Sequence, residues 1–198
     1  MATPANKLAE HRAHAAEAAR RMILRGGVEA ANLRAIAEEM GATTGLLTRY
    51  FPDKRELLRE TLTGASGFLL AQVQLGTEGL NGLAQVQAAV HSSLPLDSER
   101  LKAWSIWAAF AGLLRGDARL GEIHRQFPDQ LRQILIRGLR QAQLDGQLAA
   151  AAYPAFIAEA LVSQIIGAAM RSVTDPGAFN AAKIEAVAAG AFATIVGK

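Results

Sequence analysis

The sequence NLRAIAEEMGATTGLLTRYF, residues 32–51, predicts two short helices joined by a tight turn. Apolar residues recur at helical spacing after Asn32, and asparagine is favourable just before a helix. Gly41 stands where a helix commonly ends in the left-handed conformation. Thr43 offers a hydroxyl to cap a second helix, and Pro52 ends it because the residue before a proline disfavours the helical region. The stretch is therefore typical of a helix-turn-helix.

The second of these helices has an inward and an outward side. Leu47 and Phe51 are four residues apart and are predicted to face the interior. A helix of two turns is not stable alone, so neighbouring helices must support it. Small, hydroxylated, cationic and aromatic side chains on a short exposed helix suit a DNA groove. They lie on the predicted outward side, which carries Thr44, Gly45, Thr48, Arg49 and Tyr50.

The composition predicts an all-α protein. The 198 residues are enough for one or two domains with a sizeable core. Since 51% of them are hydrophobic and only 20% charged, a disordered chain is excluded. Alanine is abundant and β-branched runs are scarce, which favours helices throughout. The periodic segments number about nine.

Several classes of protein are disfavoured by what the sequence lacks. Without cysteine, disulfides and thiolate metal sites are excluded. Neither a signal sequence nor an uncharged apolar run of roughly 20 residues occurs, so we expect a cytoplasmic protein outside the membrane. The four histidines are scattered, and no nucleophile motif or Gly-rich phosphate loop occurs. We therefore predict no enzyme, metal or cofactor. The net charge of +3 is by itself weak evidence for nucleic acid.

The segment after Pro52 carries a specific signal for the start of a helix. Asp53 and Glu56 form an Asp-x-x-Glu capping box, which places Lys54 in the first turn. Free N–H groups and the positive end of the helix dipole favour an anion there. Lys54 either contacts a phosphate or is a solvated lysine on a capped helix, and the spacing supports both interpretations equally.

Both tryptophans lie in one later segment. Trp104 and Trp107 are three residues apart on a predicted helical stripe that continues to Leu114, with Phe110 beside it. Phe127 belongs to the next amphipathic segment. The four aromatic side chains form either a packed core or the wall of an apolar ligand pocket.

That next segment, residues 117–144, is amphipathic over a long helical pattern. Pro128 interrupts the pattern and is expected to kink or divide the helix. His124, beside the apolar face, is interpreted as a packed core histidine rather than a ligand.

The last two predicted helices, residues 153–172 and 177–196, are apolar around most of their girth. Such helices need partners on two sides. One side can be their own domain, and a second copy of the chain can cover the other through a two-fold symmetric four-helix bundle. A purely internal core is the alternative. The predicted dimer interface consists of Phe156, Leu161, Ile165, Ala168, Val187, Ala191, Phe192 and Ile195.

The residues AIAEEMGATTGLLTRYFPDKRELL, within the span 32–58, resemble the TetR family of bacterial one-component regulators. They match that family's helix-turn-helix, its following aromatic pair and loop, and the lysine that begins the next helix. TTGLLTRYF and KAWSIW are most similar to the choline-responsive subgroup, which represses glycine-betaine synthesis. The resemblance implies a helix-turn-helix domain at 1–52 and a ligand-binding and dimerisation domain at 53–198.

The resemblance also implies which residues face DNA. Arg34 would reach a base edge or a phosphate, and Arg49 would read guanine or grip the backbone. Thr48 and Tyr50 match phosphate-contacting positions. Leu46 departs from the family, in which this position is often polar, and offers only van der Waals contact, for instance to a thymine methyl group. The full predicted set is Arg34, Thr43, Thr44, Gly45, Leu46, Thr48, Arg49, Tyr50 and Lys54.

These features predict a homodimeric, ligand-responsive transcriptional repressor. Two recognition helices would enter successive major grooves of a palindromic operator, and a small-molecule effector near the aromatic residues would favour a different spacing. The helix starting at Asp53 is expected to transmit this change to the recognition helices, because it follows the helix-turn-helix without a flexible linker. The effector is either a quaternary ammonium cation, which suits an aromatic cage, or an apolar molecule. The alternatives are a helical carrier or enzyme without operator binding, and a structural DNA-binding protein without an effector.

Overall fold

The structure, a computed structural model, describes residues 4–196, with the side chains of residues 8–190, 192 and 193. This part of the chain forms helices and no strand, which confirms the predicted all-α fold. The helices are α1 (Pro4–Ala30), α2 (Leu33–Glu39), α3 (Thr44–Tyr50), α4 (Lys54–Thr77), α5 (Gly82–Ser93), α6 (Ser98–Ala109), α7 (Ala118–Leu144), α8 (Pro154–Thr174) and α9 (Ala181–Val196), with a 3₁₀ segment (Ala111–Gly116) between α6 and α7.

The described residues group into two compact units. The first contains the chain up to Ala65 together with Ile106–His124, and the second contains Ser66–Ser105 and the chain from Arg125 onward. Helices α4, α6 and α7 therefore each contribute residues to both units. This grouping by compactness differs from the functional division predicted at residue 52, which stays a prediction.

A glycine pair and a proline lie inside two of the long helices. The regular part of α1 ends at Gly26 and Gly27, which have non-helical backbone angles, and Gly27 has a φ of 74°. Of the two effects expected of Pro128, division of the helix is wrong, since α7 continues through it, and a kink stays a prediction.

The predicted stripe to Leu114 is also wrong in its second half. Helix α6 ends at Ala109, and the following residues form the 3₁₀ segment, in which Leu113 donates its backbone N–H to the Phe110 carbonyl at 2.9 Å. Glycines at 112 and 116 weaken a regular helix here. Asp117 then begins α7 as a cap, accepting the Leu120 N–H at 3.0 Å. The Leu114 side chain is consequently only partly buried.

The continuity of α7 through a proline has a visible compensation. Pro128 has no N–H, so the carbonyl of His124, four residues earlier, loses its helical donor. The indole Nε1–H of Trp107 donates to that same carbonyl at 3.2 Å. His124 Nε2 in turn lies 3.2 Å from the Trp107 carbonyl, and the two rings stack with centroids 3.7 Å apart. The histidine is buried, as predicted, and the tryptophan supplies the donor that the proline lacks.

Replacing Trp107 with phenylalanine is expected to lower the free energy of unfolding by about 1–3 kcal/mol, because it removes the indole donor from a buried carbonyl. Chemical denaturation of the full chain measures this loss. Pro128→Ala restores a backbone N–H to α7, so the double variant should lose less stability than Trp107→Phe alone. Equal losses in the two variants would show that donation to the His124 carbonyl is not what Trp107 contributes.

In the second unit, α8 packs against α9 and both contact α5. Gly138 on α7 permits a close approach of α5, because a Cβ at this position would lie 2.8 Å from Cγ2 of Val86. Helix α8 is long and apolar enough, by length and composition, to cross a bilayer. Core helices of soluble proteins can have the same length and composition. Of the most apolar 18-residue stretch of α8, 39% is buried within the structure.

Candidate nucleic-acid interface

Helices α2 and α3 of the first unit are joined by the turn predicted from the sequence. Asn32 caps α2 by accepting the Ala35 N–H at 3.0 Å. Gly41 has a φ of 64°, the left-handed conformation in which glycine is favoured. Thr43 caps α3 by accepting the Leu46 N–H at 3.3 Å. These three caps and turns are confirmed, and they fix where α3 begins.

Helix α3 is supported on one side and open on the other. Leu47 and Phe51 are completely buried, which confirms the predicted inward side. Thr44, Gly45, Thr48 and Arg49 are exposed, and the side chains of Leu46 and Tyr50 are partly buried. The structure thus brings most of the predicted DNA-facing residues together on one short helix. Arg34 lies on α2 with its side chain exposed, and its Nε is 3.1 Å from Glu38 Oε1.

Contacts from α1 that were not predicted hold the C-terminal end of α3. Arg12 Nη1 donates to the Tyr50 carbonyl at 2.7 Å, and Arg12 Nη2 donates to Glu60 Oε2 at 2.6 Å. The Arg12 guanidinium also lies 4.5 Å from the centre of the Phe51 ring. One residue earlier, the His11 ring stacks on the Tyr50 ring at 5.1 Å. Residues 38 positions apart in sequence give no periodic signal, so the sequence could not reveal this contact.

A second ion-pair cluster holds α1 to α2. Glu39 Oε1 accepts from Arg21 Nε at 2.9 Å, and Glu39 Oε2 accepts from Arg25 Nη2 at 2.5 Å. These hydrogen bonds, that of Arg25 first, hold the pKa of Glu39 below its ordinary value. The carboxylate therefore stays ionised, and the two arginines fix α2 against the longer helix.

Lys54 begins α4 beside the capping residue that was predicted for it. Asp53 accepts the Glu56 N–H at 2.8 Å, which confirms the cap. The side chain of Glu56 does not return to this cap. Its carboxylate lies 3.3 Å from Arg59 and 3.9 Å from both Arg12 and Arg119. Lys54 itself is partly exposed, with its Nζ 3.6 Å from Glu29 Oε2.

A further ion pair ties α4 to the start of α7 within the first unit. Arg59 Nη2 donates to Asp117 Oδ2 at 2.7 Å. The Leu120 N–H and then Arg59 lower the pKa of Asp117, although partial burial opposes them, while Asp117 raises the pKa of Arg59. One carboxylate thus caps α7 and anchors α4.

The four aromatic residues of the predicted ligand pocket are all buried. Trp104 and Phe127 belong to the second unit, where their rings meet edge to face at 5.4 Å and Trp104 Nε1 donates to the Ser93 carbonyl at 2.8 Å. Trp107 and Phe110 belong to the first unit, and Trp107 stacks on His124. The core-packing alternative accounts for these contacts, while ligand binding by the four residues stays a prediction.

The second unit carries an apolar groove of about 450 Å³ between α5 and α9. His91 Nε2 lies 3.9 Å from Glu185 Oε1 at this groove. Its lining includes Val90, Leu94, Ala188 and Phe192. Among the described residues, no group of three or more His, Cys, Asp or Glu side chains is placed to hold a metal ion.

The residues of the predicted dimer interface differ in exposure. Phe156 and Val187 are 76% and 43% exposed. Leu161, Ile165 and Ala168 are buried within the single chain, and Phe192 is partly buried. The side chains of Ala191 and Ile195 lie outside the described residues. A second groove, of about 400 Å³, runs between α8 and α9. Its lining contains Val187 and the larger residues Gln164, Arg171 and Phe179 beside the small residues Gly167, Ala168, Ala186 and Gly190.

Comparison with known families finds two matches along the chain. Residues 16–61 match the family described as bacterial regulatory proteins, tetR family. Residues 82–197 match the family described as BetI-type transcriptional repressor, C-terminal. The first match contains the helix-turn-helix, and the second spans more than half of the chain.

Individual relatives agree with these matches. The HTH-type transcriptional regulator BetI of Vibrio atlanticus (strain LGP32) is 27% identical over 169 residues, which cover 84% of this chain and 82% of that protein. A transcriptional regulator from Rhodococcus sp. has a TM-score of 0.82 and 24% identity, covering 94% of this chain and 96% of its own. A regulator from Saccharomonospora viridis in complex with choline has a TM-score of 0.81 and 18% identity, covering 92% and 94%. At such identities the two structures show a shared fold.

Proposed function

The chain belongs to the TetR family of bacterial transcriptional regulators, and from that membership we propose a homodimeric, cytoplasmic repressor that binds a palindromic operator and is released by a small molecule. The observation that carries the proposal is that α3 is buried on one side only. Leu47 and Phe51 anchor the helix, while its hydroxylated and cationic side remains exposed. A helix presented in this way suits the major groove.

The proposed DNA contacts divide into two kinds. Thr43, Thr48, Tyr50 and Lys54 would bind phosphates, which sets register and supplies affinity. Base reading would come from Arg49, Thr44, Gly45 and Leu46 on α3, with Arg34 from α2. Since Leu46 offers only apolar contact, most of the hydrogen-bonded base specificity would fall to the arginines. Lys54 would exchange its present partner, the Glu29 carboxylate, for a phosphate.

Dimerisation would set the spacing of the two α3 helices. We propose that α8 and α9 pair with those of a second chain, because Phe156 and Val187 leave apolar surface exposed, and Val187 lines a groove that contains several small residues. The two-fold axis of such a pair would match a palindromic operator with half-sites about one helical turn apart.

The proposed effector is a small molecule bound by the C-terminal helices. A quaternary ammonium compound is the first class to test, because the C-terminal residues match a BetI-type repressor and the Saccharomonospora relative was solved with choline. Trp104 and Phe127 are packed edge to face, so a cation between them would have to separate the rings. Such a rearrangement, carried by α4, would couple effector and operator reciprocally by about 1–3 kcal/mol.

Operator binding is tested by selecting duplexes from a random library with the full chain and titrating the selected duplex at several salt concentrations. We expect a two-fold symmetric sequence and a steep decrease in affinity with salt. Lys54→Gln should make the log–log salt slope shallower by about 1.8, because a dimer loses two phosphate contacts at about 0.9 each. Arg140→Gln removes the same charge from an exposed position of the second unit and serves as the control.

Two results would contradict this proposal. A wild-type chain that selects no sequence would favour the rival class, a helical carrier or enzyme without operator binding. An identical salt slope for Lys54→Gln and wild type would remove Lys54 from the phosphate contacts.

A further inference from the structure

The C-terminal end of α3 is not stabilised by its own residues alone. The helix has seven residues, fewer than an isolated helix needs. Its last carbonyls require donors from elsewhere. Pro52 cannot provide one, because it has no N–H for the carbonyl of Thr48, four residues earlier. The end of the helix that carries Arg49 and Tyr50 therefore depends on partners outside α3.

Arg12 of α1 supplies such a partner. Its Nη1 donates to the Tyr50 carbonyl at 2.7 Å, and a cation is favourable at the negative end of a helix dipole. Its Nη2 is held by Glu60 at 2.6 Å, and its guanidinium lies over the Phe51 ring. The planar fork of arginine serves these three partners together, which a lysine ammonium cannot do.

The aromatic ring of Tyr50 is held from the same helix. His11, next to Arg12 in sequence, stacks on it with an angle of 16° between the ring planes. Neighbouring residues of α1 thus hold both the carbonyl and the side chain of Tyr50. Such a grip fixes the position of the residue proposed to bind a phosphate.

We propose that Arg12 is a positioning residue for operator recognition. From α1 it caps the C-terminal end of α3 and thereby fixes the orientation of Arg49 and Tyr50. The inference rests on the proposed DNA binding and adds the residue that holds α3 in its position. Arg12 does not act as a phosphate contact itself, because both of its terminal nitrogens already donate to protein acceptors. Only 27% of its side chain is exposed, whereas Arg49 belongs to the exposed residues of α3.

The first test needs no DNA. Amide hydrogen exchange is measured on the free full-length chain for wild type, Arg12→Gln, Arg12→Lys and the control Arg140→Gln. The Phe51 N–H, which donates to the Leu47 carbonyl at 2.9 Å, reports on the last turn of α3. We expect both Arg12 variants to exchange this amide at least about tenfold faster, because a charge-assisted cap is lost. Unchanged exchange in both variants would overturn the inference.

The second test separates positioning from direct phosphate contact. Each variant is titrated against the duplex selected by the wild-type chain and against a scrambled duplex. A positioning role predicts that Arg12→Gln and Arg12→Lys both lower the ratio of the two affinities by about tenfold. A phosphate contact predicts instead that Arg12→Lys keeps this ratio and that Arg12→Gln weakens both duplexes equally. The latter pattern would overturn the inference.

Two further outcomes are distinguishable. If Arg12→Gln does not fold, Glu60→Gln frees the guanidinium from one carboxylate and should shift exchange and selectivity in the same directions. No change in either readout would count against the cap. If the wild-type chain selects no duplex, the proposed function fails, and the positioning role fails with it. If the wild-type chain is selective and the Arg12 variants match it in exchange and selectivity, only the positioning role fails.

Discussion

Replacing Phe51 with alanine is expected to lower the free energy of unfolding by about 3–5 kcal/mol and to abolish operator binding. Phe51 is completely buried where α3 meets the rest of the first unit, and the Arg12 guanidinium lies over its ring. Its loss creates a cavity and removes the support of a helix that cannot stand alone. A typical domain is stable by only about 5–15 kcal/mol, so this is a large fraction of the total. Chemical denaturation and duplex titration measure the two effects.

The matched control is Leu75→Ala on α4. That side chain is 67% exposed, so its truncation should change stability by no more than about 0.5 kcal/mol. A loss below about 1 kcal/mol in Phe51→Ala would mean that α3 is not held by this side chain.

Replacing Val187 with glutamate is expected to dissociate the dimer and to reduce operator affinity by more than about 100-fold. Val187 is exposed in the single chain, so the carboxylate costs the monomer little. In the proposed interface, two-fold symmetry would bury two added carboxylates, one from each chain, which is unfavourable. A monomer would then place only one α3 helix on an operator. Light scattering after size exclusion and duplex titration measure the two losses.

Ala182→Glu provides the matching control on the same helix. Five residues separate the two positions, which places Ala182 about 140° around α9 from Val187. The control should remain dimeric and bind the operator normally. If Val187→Glu stays dimeric as well, the chains associate through another surface.

The features that the sequence predicted correctly are the ones encoded locally. Asn32, Gly41 and Thr43 act within four residues of their own positions, as a helix cap or a left-handed turn, and each occupies its predicted role. The inward placement of Leu47 and Phe51 follows from helical periodicity alone. Short-range backbone chemistry thus determined the α2–α3 turn before any tertiary contact was known.

The features that escaped prediction depend on partners distant in sequence. Arg12 meets Tyr50 across 38 residues, and Arg25 meets Glu39 across 14. The contacts of Trp104 with Phe127 and of Trp107 with His124, both on α7, agree with a shared face of the two tryptophans, but the pairing of Trp107 with His124 was not predicted. Periodicity gives the direction of a side chain from its helix axis. It does not identify the neighbouring element that the side chain meets.

Because Trp107 donates a hydrogen bond to the His124 carbonyl, substitutions at positions 107 and 128 depend on each other during evolution. If Pro128 is replaced before Trp107, the backbone donor is regained, and the tryptophan is no longer needed to supply it. A lineage that loses the tryptophan first must pass through a less stable intermediate. The proline substitution is therefore the permissive step, and the order of the two mutations decides which path stays open to selection.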